Sequence, residues 1–355
     1  MKYLKTFFYN LIFFFLFLLI IEIIFGYWFD KNNLGPYMRE HRMKKIDYKL
    51  KLDGVEYDYT YKRNYYGFIG EEIKLEKIKA IMVGGSTTDE RYKPEHQRIV
   101  GILNKKLNDK NINLKIISAG IEGQSTIGHL NNFKVWFPKL KNFSPKIIIF
   151  YVGINDHFAR VGRMKEVMLG DGMVKNPKQS DVIKDYLKSS SIFYDLARKI
   201  KHKYYTSSKT RIVYDFNESI NNFYKEKSFD FLNYDNAILR FDIKNILEDN
   251  KDRISYYLSN IDQLNNETKK IGAMPIFINQ LMADGNNNKS LFALNYSLIK
   301  HCKKKGYNCI DLGKKLIGKK DFWWDSLHTT AKGSEAISNV IFPELYDFIN
   351  KINLN

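Results

Sequence analysis

The chain has 355 residues, with 57 lysines and arginines against 39 acidic residues and a formal charge of +18. Hydrophobic residues make up 44% and aromatics 15%, enough apolar surface to offset the entropy of ordering, so a disordered chain is excluded, as is a peptide hormone. Two cysteines, Cys302 and Cys309, are too few for a disulfide framework or a cysteine-rich zinc site.

From Phe7 to Phe29 the sequence is nearly unbroken Phe, Leu and Ile. About 20 such residues in a helix cross a hydrocarbon core of ~30 Å, and this stretch is read as a membrane span. Each Leu, Ile or Phe favours insertion by roughly 0.3 to 0.6 kcal/mol, so together they outweigh a carboxyl such as Glu22 even at a cost of about 3 kcal/mol. A cleaved secretory signal is the alternative, with Lys2 and Lys5 as its charged start, but the run is long and no Ala-x-Ala-like site follows. Tyr27 and Trp28 suit an interfacial aromatic belt. Lys2 and Lys5 favour an inside N-terminus, an asymmetry weakened by Lys31, Arg39, Arg42, Lys44 and Lys45; the body is expected outside the cytoplasm.

Residues 30–77 form a juxtamembrane segment, with weak alternation around Val55 to Tyr61 that predicts a short strand or two. In residues 78–355, short apolar runs at Lys79 to Val83, Leu114 to Ser118, Lys146 to Val152, Pro275 to Asn279 and Asn308 to Leu312 predict strands buried on both faces. Helical patterns alternate with them, at Ile99 to Leu107 and around Ile254 to Ile271. The architecture predicted is a three-layer α/β/α sandwich with a central, mostly parallel five-stranded sheet. A stretch of about 157–273 separates the third and fourth strands, far more than one crossover needs. It is predicted to hold a helical cap, with helices at Ser191 to Lys203 and Asn236 to Asp249. Cys302 and Cys309 flank the last helix-to-strand turn and are read as free and buried.

The positive charge has local sources: Arg198, Lys199, Lys201, Lys203, Lys209 and Arg211, then Lys303 to Lys305, and Lys314, Lys315, Lys319 and Lys320. Basic residues beside Tyr204 and Tyr205 resemble a nucleic-acid surface, but a tethered body makes anionic lipid or an acidic glycan the expected partner, with a simple solvated face as the alternative. No nucleic-acid partner is expected.

The predicted strands end in chemistry. Gly84-Gly85-Ser86-Thr87-Thr88 follows the first, and Ser118-Ala119-Gly120-Ile121-Glu122-Gly123 the second. Gly153-Ile154-Asn155-Asp156 follows the third, and Asp325-Ser326-Leu327-His328 lies beyond the fifth. Taken singly, a serine after a glycine turn is also an ordinary helix cap, and Asn155 an ordinary turn residue. Three-residue spacing on a loop lets Asp325 bond one ring nitrogen of His328 while the other faces outward as a base. Four such pieces in this order are a stronger signal than any one.

Together they resemble the SGNH hydrolase family, also called GDSL-type esterases, over roughly residues 78 to 347 with an interruption at the insertion. Arg63-Asn64-Tyr65-Tyr66-Gly67-Phe68 is similar to the lead-in of membrane-tethered members. The resemblance implies a flavodoxin-like fold and a serine esterase. Its catalytic residues would be Ser86, His328 and Asp325, with an oxyanion hole from Ser86, Gly123 and Asn155, and no cofactor or metal. It also implies acyl, above all O-acetyl, substrates on a cell-envelope glycan, with phospholipid or lipoprotein-type lipid as the second choice and the body in a bacterial-type envelope. Two alternatives stand beside it: an O-acyltransferase using the same triad on a surface polysaccharide, and an inactive adaptor binding anionic polymer. The chain departs from the family pattern at Gly85, where Asp is usual, and at Ser118, where Asn is. Gly-x-Ser-x-Gly, the elbow of α/β-hydrolases, is absent. Phe322, Trp323 and Trp324 are either substrate-stacking aromatics or core anchors; His129 and His157 are read as structural.

Overall fold

The computed structural model describes residues 2–29, 34, 38, 41–52, 55–158 and 229–352, and between the last two blocks 167–168, 173–174, 183, 186–188, 190–197, 200 and 211–226. Five strands form the central sheet: β1 (Ala80–Gly84), β2 (Ile116–Ser118), β3 (Ile147–Val152), β4 (Met274–Asn279) and β5 (Asn308–Ile310). They lie in the spatial order β5-β4-β3-β1-β2 and every pairing is parallel. Read from its other edge the order is 2-1-3-4-5, the doubly wound flavodoxin-like arrangement.

Alternate residues of each strand enter opposite cores, as continuous apolar runs require. Ile81, Val83, Ile148, Phe150 and Phe277 pack with Phe133, Trp136, Tyr257 and Leu264 on one face. Ala80, Met82, Ile147, Ile149, Ile276 and Ile278 pack with Leu103, Leu107, Ile337 and Ile341 on the other. The first face is covered by helices Thr126–Val135, Lys251–Lys270 and Lys289–Lys305, and the second by Ile99–Asp109 and Ala331–Asn350.

Three sequence expectations change. The N-terminal helix runs Lys2–Phe25 rather than 7 to 29: it closes at Gly26, whose N–H still bonds Glu22, while Trp28 folds back over that glycine. Its apolar part, Tyr3–Phe25, is long and apolar enough to cross a membrane. The juxtamembrane segment holds two nine-residue strands, Lys44–Leu52 and Val55–Arg63, paired antiparallel; the first also pairs parallel with Arg211–Asp215 from the insertion. This small sheet joins the edge of the central one through Ile69, whose N–H bonds the Ser118 carbonyl. The stretch 157–273 is mainly helical among its described residues, but it also holds three short strands, Val167–Met168, Met173–Val174 and Arg211–Asp215, and its helix Lys251–Lys270 is the crossover that the β3-to-β4 connection needs. Within it, the expected helix around 236–249 is two, Tyr234–Arg240 and Ile243–Asp249, each capped by an Asn or Asp side chain. Ile192 to Ala197 are helical; Arg198, Lys199, Lys201, Lys203, Tyr204, Tyr205 and Lys209 lie outside the described residues, as does the side chain of Arg211.

The cysteines are also not free. Cys302, on the last helix before β5, is bridged to Cys309 within β5. The turn between them brings the helix end back to the strand at Gly306, a left-handed C-cap. Closing so short a loop restrains the unfolded chain by about 2 kcal/mol in the entropic picture. The double substitution Cys302→Ala, Cys309→Ala is expected to lower unfolding free energy by about that amount in denaturant titration, and reductant should have no further effect on the variant.

Candidate active site

Ligands of doubly wound sheets bind beyond the strand C-termini where the order reverses, which here is between β1 and β3. Ser86 opens a one-turn helix, Ser86–Asp89, directly after β1; Glu90, at a left-handed φ of 45°, ends it. Asn155 follows β3 in the short helix Ile154–Phe158. Beyond β5, the Trp324 N–H bonds the His328 carbonyl and closes the loop that carries Asp325 and His328.

These distant pieces meet. Ser86 Oγ lies 2.8 Å from His328 Nε2, and His328 Nδ1 lies 2.7 Å from Asp325 Oδ2. The other Asp325 oxygen accepts the backbone N–H groups of Leu327 and His328 at 2.7 and 2.6 Å, so the carboxylate is held from both sides. Burial alone would raise the Asp325 pKa, but His328 and these N–H groups hold it below the usual carboxylate range. An ionised Asp325 fixes the tautomer of His328: Nδ1 donates to it, leaving Nε2 as the acceptor for the serine hydroxyl.

Asn155 and Gly123 sit beside the serine turn. The Asn155 amide donates to the Gln124 carbonyl at 2.7 Å. Gly123, just before it, has φ +74°, a left-handed conformation that favours glycine. A Cβ at residue 85 would fall 2.2 Å from Asn155 Nδ2 and 3.2 Å from the Gln124 carbonyl. Gly85, the departure from the family pattern, is therefore the residue that lets Asn155 approach the serine turn.

The aromatics divide. Trp323 is buried and stacks on Phe231, an anchor. Trp324 stacks on the His328 ring at 5.1 Å and meets Tyr92 edge-on at 5.8 Å. Ser86, Arg91, Tyr92, Glu122, Trp324 and His328 border a small cleft. His129 is buried with its pKa pushed down to about 3 by burial, and His157 is pushed down to about 4 by burial and then by Arg253. Neither histidine is bonded to Ser86 or Asp325. Among the described residues, no group of three or more His, Cys, Asp or Glu is placed to hold a metal ion.

Sequence reasoning missed the polar groups that hold the loops together. Glu90 and Lys93 are both buried and form an ion pair at 2.5 Å. Glu90 also accepts the Ile99 N–H at 2.6 Å, while Lys93 donates to the Thr329 carbonyl at 2.8 Å and hydroxyl at 3.0 Å, and to Ser334. The serine loop is thereby tied to the residue after His328. Burial lowers the Lys93 pKa and Glu90 opposes that shift. Gln280, at the end of β4, makes a second tie: it donates to Thr87 Oγ1 at 2.7 Å and accepts the Ile154 N–H at 2.9 Å. Arg63 of the lead-in segment donates to the Gly67 and Gly120 carbonyls and pairs with buried Asp89, which also takes Tyr61 and Arg91. In sequence, Asp89-Glu90-Arg91-Tyr92-Lys93 reads as a solvated charged turn. The only hint of burial is its place between two strand-end motifs.

No family model and no curated protein matches the chain. Among solved structures, it is similar to TesA (12% identity, 76% of this chain and 98% of that one, TM-score 0.43). It is also similar to the psychrotrophic esterase EstA from Pseudoalteromonas sp. (12%, 77% and 99%, TM-score 0.40) and to a catalytic mutant of Axe2, an acetylxylan esterase from Geobacillus stearothermophilus (13%, 75% and 93%, TM-score 0.40). Likeness at that level leaves the chemistry to be read from this chain's own residues.

Two outcomes follow from the buried charges. Lys93→Met strands the Glu90 carboxylate and should cost about 3 to 5 kcal/mol in denaturant unfolding, with the double variant Glu90→Gln, Lys93→Met regaining a large part. Asp156 accepts the Thr126 N–H and hydroxyl, yet burial raises its pKa from 3.8 to about 6 against those bonds. The folded state then binds this proton more tightly than the unfolded chain, so the contribution of Asp156 to stability falls as pH rises from 3.8 to about 6. Unfolding of Asp156→Asn beside the parent should show the difference moving in the variant's favour across that window.

Proposed function

We propose that the chain is a membrane-tethered serine esterase of the SGNH type that removes short acyl groups, above all O-acetyl, from a cell-envelope glycan. The observation that carries this reading is the chain of contacts from Ser86 Oγ through His328 to Asp325, at 2.8 and 2.7 Å. Ser86 Oγ attacks the acyl carbonyl while His328 Nε2 takes its proton; Asp325 stabilises the imidazolium. His328 then protonates the departing alcohol, leaving the acyl group on Ser86. Water attacks that ester with His328 again as base, and the carboxylic acid departs.

Charge on the carbonyl oxygen would be met by the N–H groups of Ser86 and Gly123 and by the Asn155 amide. The Asn155 amide, bonded to the Gln124 carbonyl in the resting site, would turn to the oxyanion as it forms. The small cleft supports a short acyl chain. Aromatic residues Tyr92 and Trp324 with Arg91 and Glu122 at the border support an alcohol that is both apolar-faced and hydroxylated, as a sugar is. The Cys302–Cys309 bridge and the lysines before the span support a body outside the cytoplasm. Residues 1–29 serve as the anchor, 30–77 as the segment between, and 78–355 as the catalytic domain with its insertion.

With an aryl acetate as substrate, Ser86→Ala and His328→Ala are expected to lose nearly all turnover. Asn155→Ala should lower kcat about 10²- to 10³-fold with KM little changed, as for loss of one oxyanion donor. Full activity in Ser86→Ala overturns the mechanism. Product analysis with an acetylated glycan separates hydrolysis, which releases acetate, from transfer to a second sugar; unlabelled Ser86 after fluorophosphonate treatment would mark an inactive adaptor.

A further inference from the structure

Outside the N-terminal helix and the residues just after it, twelve large hydrophobic side chains are exposed among the described residues, and seven of them fall between Ile183 and Ile200. Tyr186, Leu187, Leu196 and Ile200 are each about half exposed, at 52%, 49%, 51% and 48%. The other five, such as Leu239 and Ile317, are scattered singly, as on ordinary protein surfaces. A concentration of this kind marks an interaction surface.

The segment is also fastened to the end of the expected membrane span. Glu22, one turn from the end of that helix, accepts the backbone N–H groups of Ile192 and Phe193 at 3.1 and 3.4 Å. The Tyr27 N–H bonds the carbonyl of buried Ser190 at 2.7 Å, and the Trp28 ring meets Tyr186 edge-on at 5.9 Å. The apolar side chains are thus carried at the level where the span emerges, beside Tyr27 and Trp28. Rings with one polar edge collect at that depth of a bilayer. Lys188 lies over the Tyr194 ring at 5.9 Å, and in sequence Arg198, Lys199, Lys201 and Lys203 follow, a charge pattern that complements anionic headgroups.

We propose that the described residues between Ile183 and Ile200 form a second membrane contact, lying in the headgroup region of an anionic bilayer beside the exit of the span. This rests on the reading of the N-terminal helix as a span. It assigns Glu22 a role as well: its carboxylate joins the span to the interfacial segment. The contact would seat the body on the surface at two points, leaving less freedom than a single tether. From the same insertion, Arg211–Asp215 pairs with Lys44–Leu52, and Ile220 packs in the cluster that includes Tyr92 and Trp324. The seated segment is therefore continuous in sequence with one wall of the cleft.

The test is depth-dependent quenching in the full-length protein, reconstituted in vesicles containing phosphatidylglycerol. Single substitutions Leu187→Cys and Leu196→Cys are labelled with a thiol-reactive fluorophore under non-reducing conditions, with Phe14→Cys as the span control and Leu239→Cys as the body control. With nitroxide-bearing lipid, the labels at 187 and 196 are expected to lose more than half of their fluorescence, as at 14, while that at 239 is unchanged and is quenched only by aqueous iodide. Labels at 187 and 196 that behave like 239 overturn the proposal with the span intact. Labels shielded from both quenchers overturn it in favour of a protein partner, such as a second copy of the chain. An unquenched label at 14 overturns the span, and this contact falls with it.

Discussion

The arrangement depends on one pairing, that of Ala80–Gly84 with Ile147–Val152 at the centre of the sheet. Each strand is buried along its whole length, so the pair cannot slip in register without moving apolar side chains from one core to the other. Because the connections leaving these two strands go to opposite sides, a crevice must open beyond their C-termini. Ser86 stands two residues past the end of one strand and Asn155 three past the end of the other. Backbone pairing thus sets the spacing between the serine turn and the Asn155 turn before any side chain contributes.

What pairing cannot set is the position of the His328 loop, which arrives from beyond the sheet's far edge. That position is held by buried charge. Glu90 and Lys93 give up water to grip one another, the Thr329 carbonyl and Ser334. Such a pair is a weak source of stability, because desolvation offsets most of its attraction, but it penalises alternatives strongly: a displaced loop would leave an unpaired ion in the interior. The Arg63–Asp89 pair repeats the device on the other flank, where it fastens the lead-in segment to the loop bearing Gly120. The loop itself remains partly open, with the His328 side chain 24% and the Asp325 side chain 33% exposed.

This division explains what could be read from the sequence. The five sheet strands were legible because each is a short apolar run whose composition carries its burial, and the strand-end motifs were legible because glycines and polar residues interrupt those runs at one edge. The hairpin Lys44–Arg63 was only half legible. Ile46, Tyr48 and Leu50 alternate with Lys45, Asp47, Lys49 and Lys51, but the third strand of that sheet lies some 160 residues away, and no local pattern announces the pairing. Glu90 and Lys93 were hidden for the opposite reason. Charged side chains three residues apart read as a solvated pair, and the groups that enclose this one, Thr329 and Ser334, lie more than 230 residues further along the chain. Cys302 and Cys309 were hidden likewise, since two cysteines carry no connectivity until a helix is seen to turn back on its strand.

The wall of the cleft is where these distant parts of the chain come together. Leu50 from the hairpin, Tyr92 from the serine loop, Ile220 from the insertion and Trp324 from the histidine loop pack in one cluster. Tyr59 of the same hairpin bonds the Arg91 carbonyl at 2.8 Å. The segment after the N-terminal helix is therefore more than a spacer: it forms part of the surface behind Trp324, whose ring lies flat on His328. Since the ring of Trp324 restricts how His328 can tilt, whatever positions the hairpin and the insertion also bears on the orientation of the imidazole. The geometry of the Ser86–His328–Asp325 site at the sheet edge is in this way linked through packing to the parts of the chain that follow the N-terminal helix.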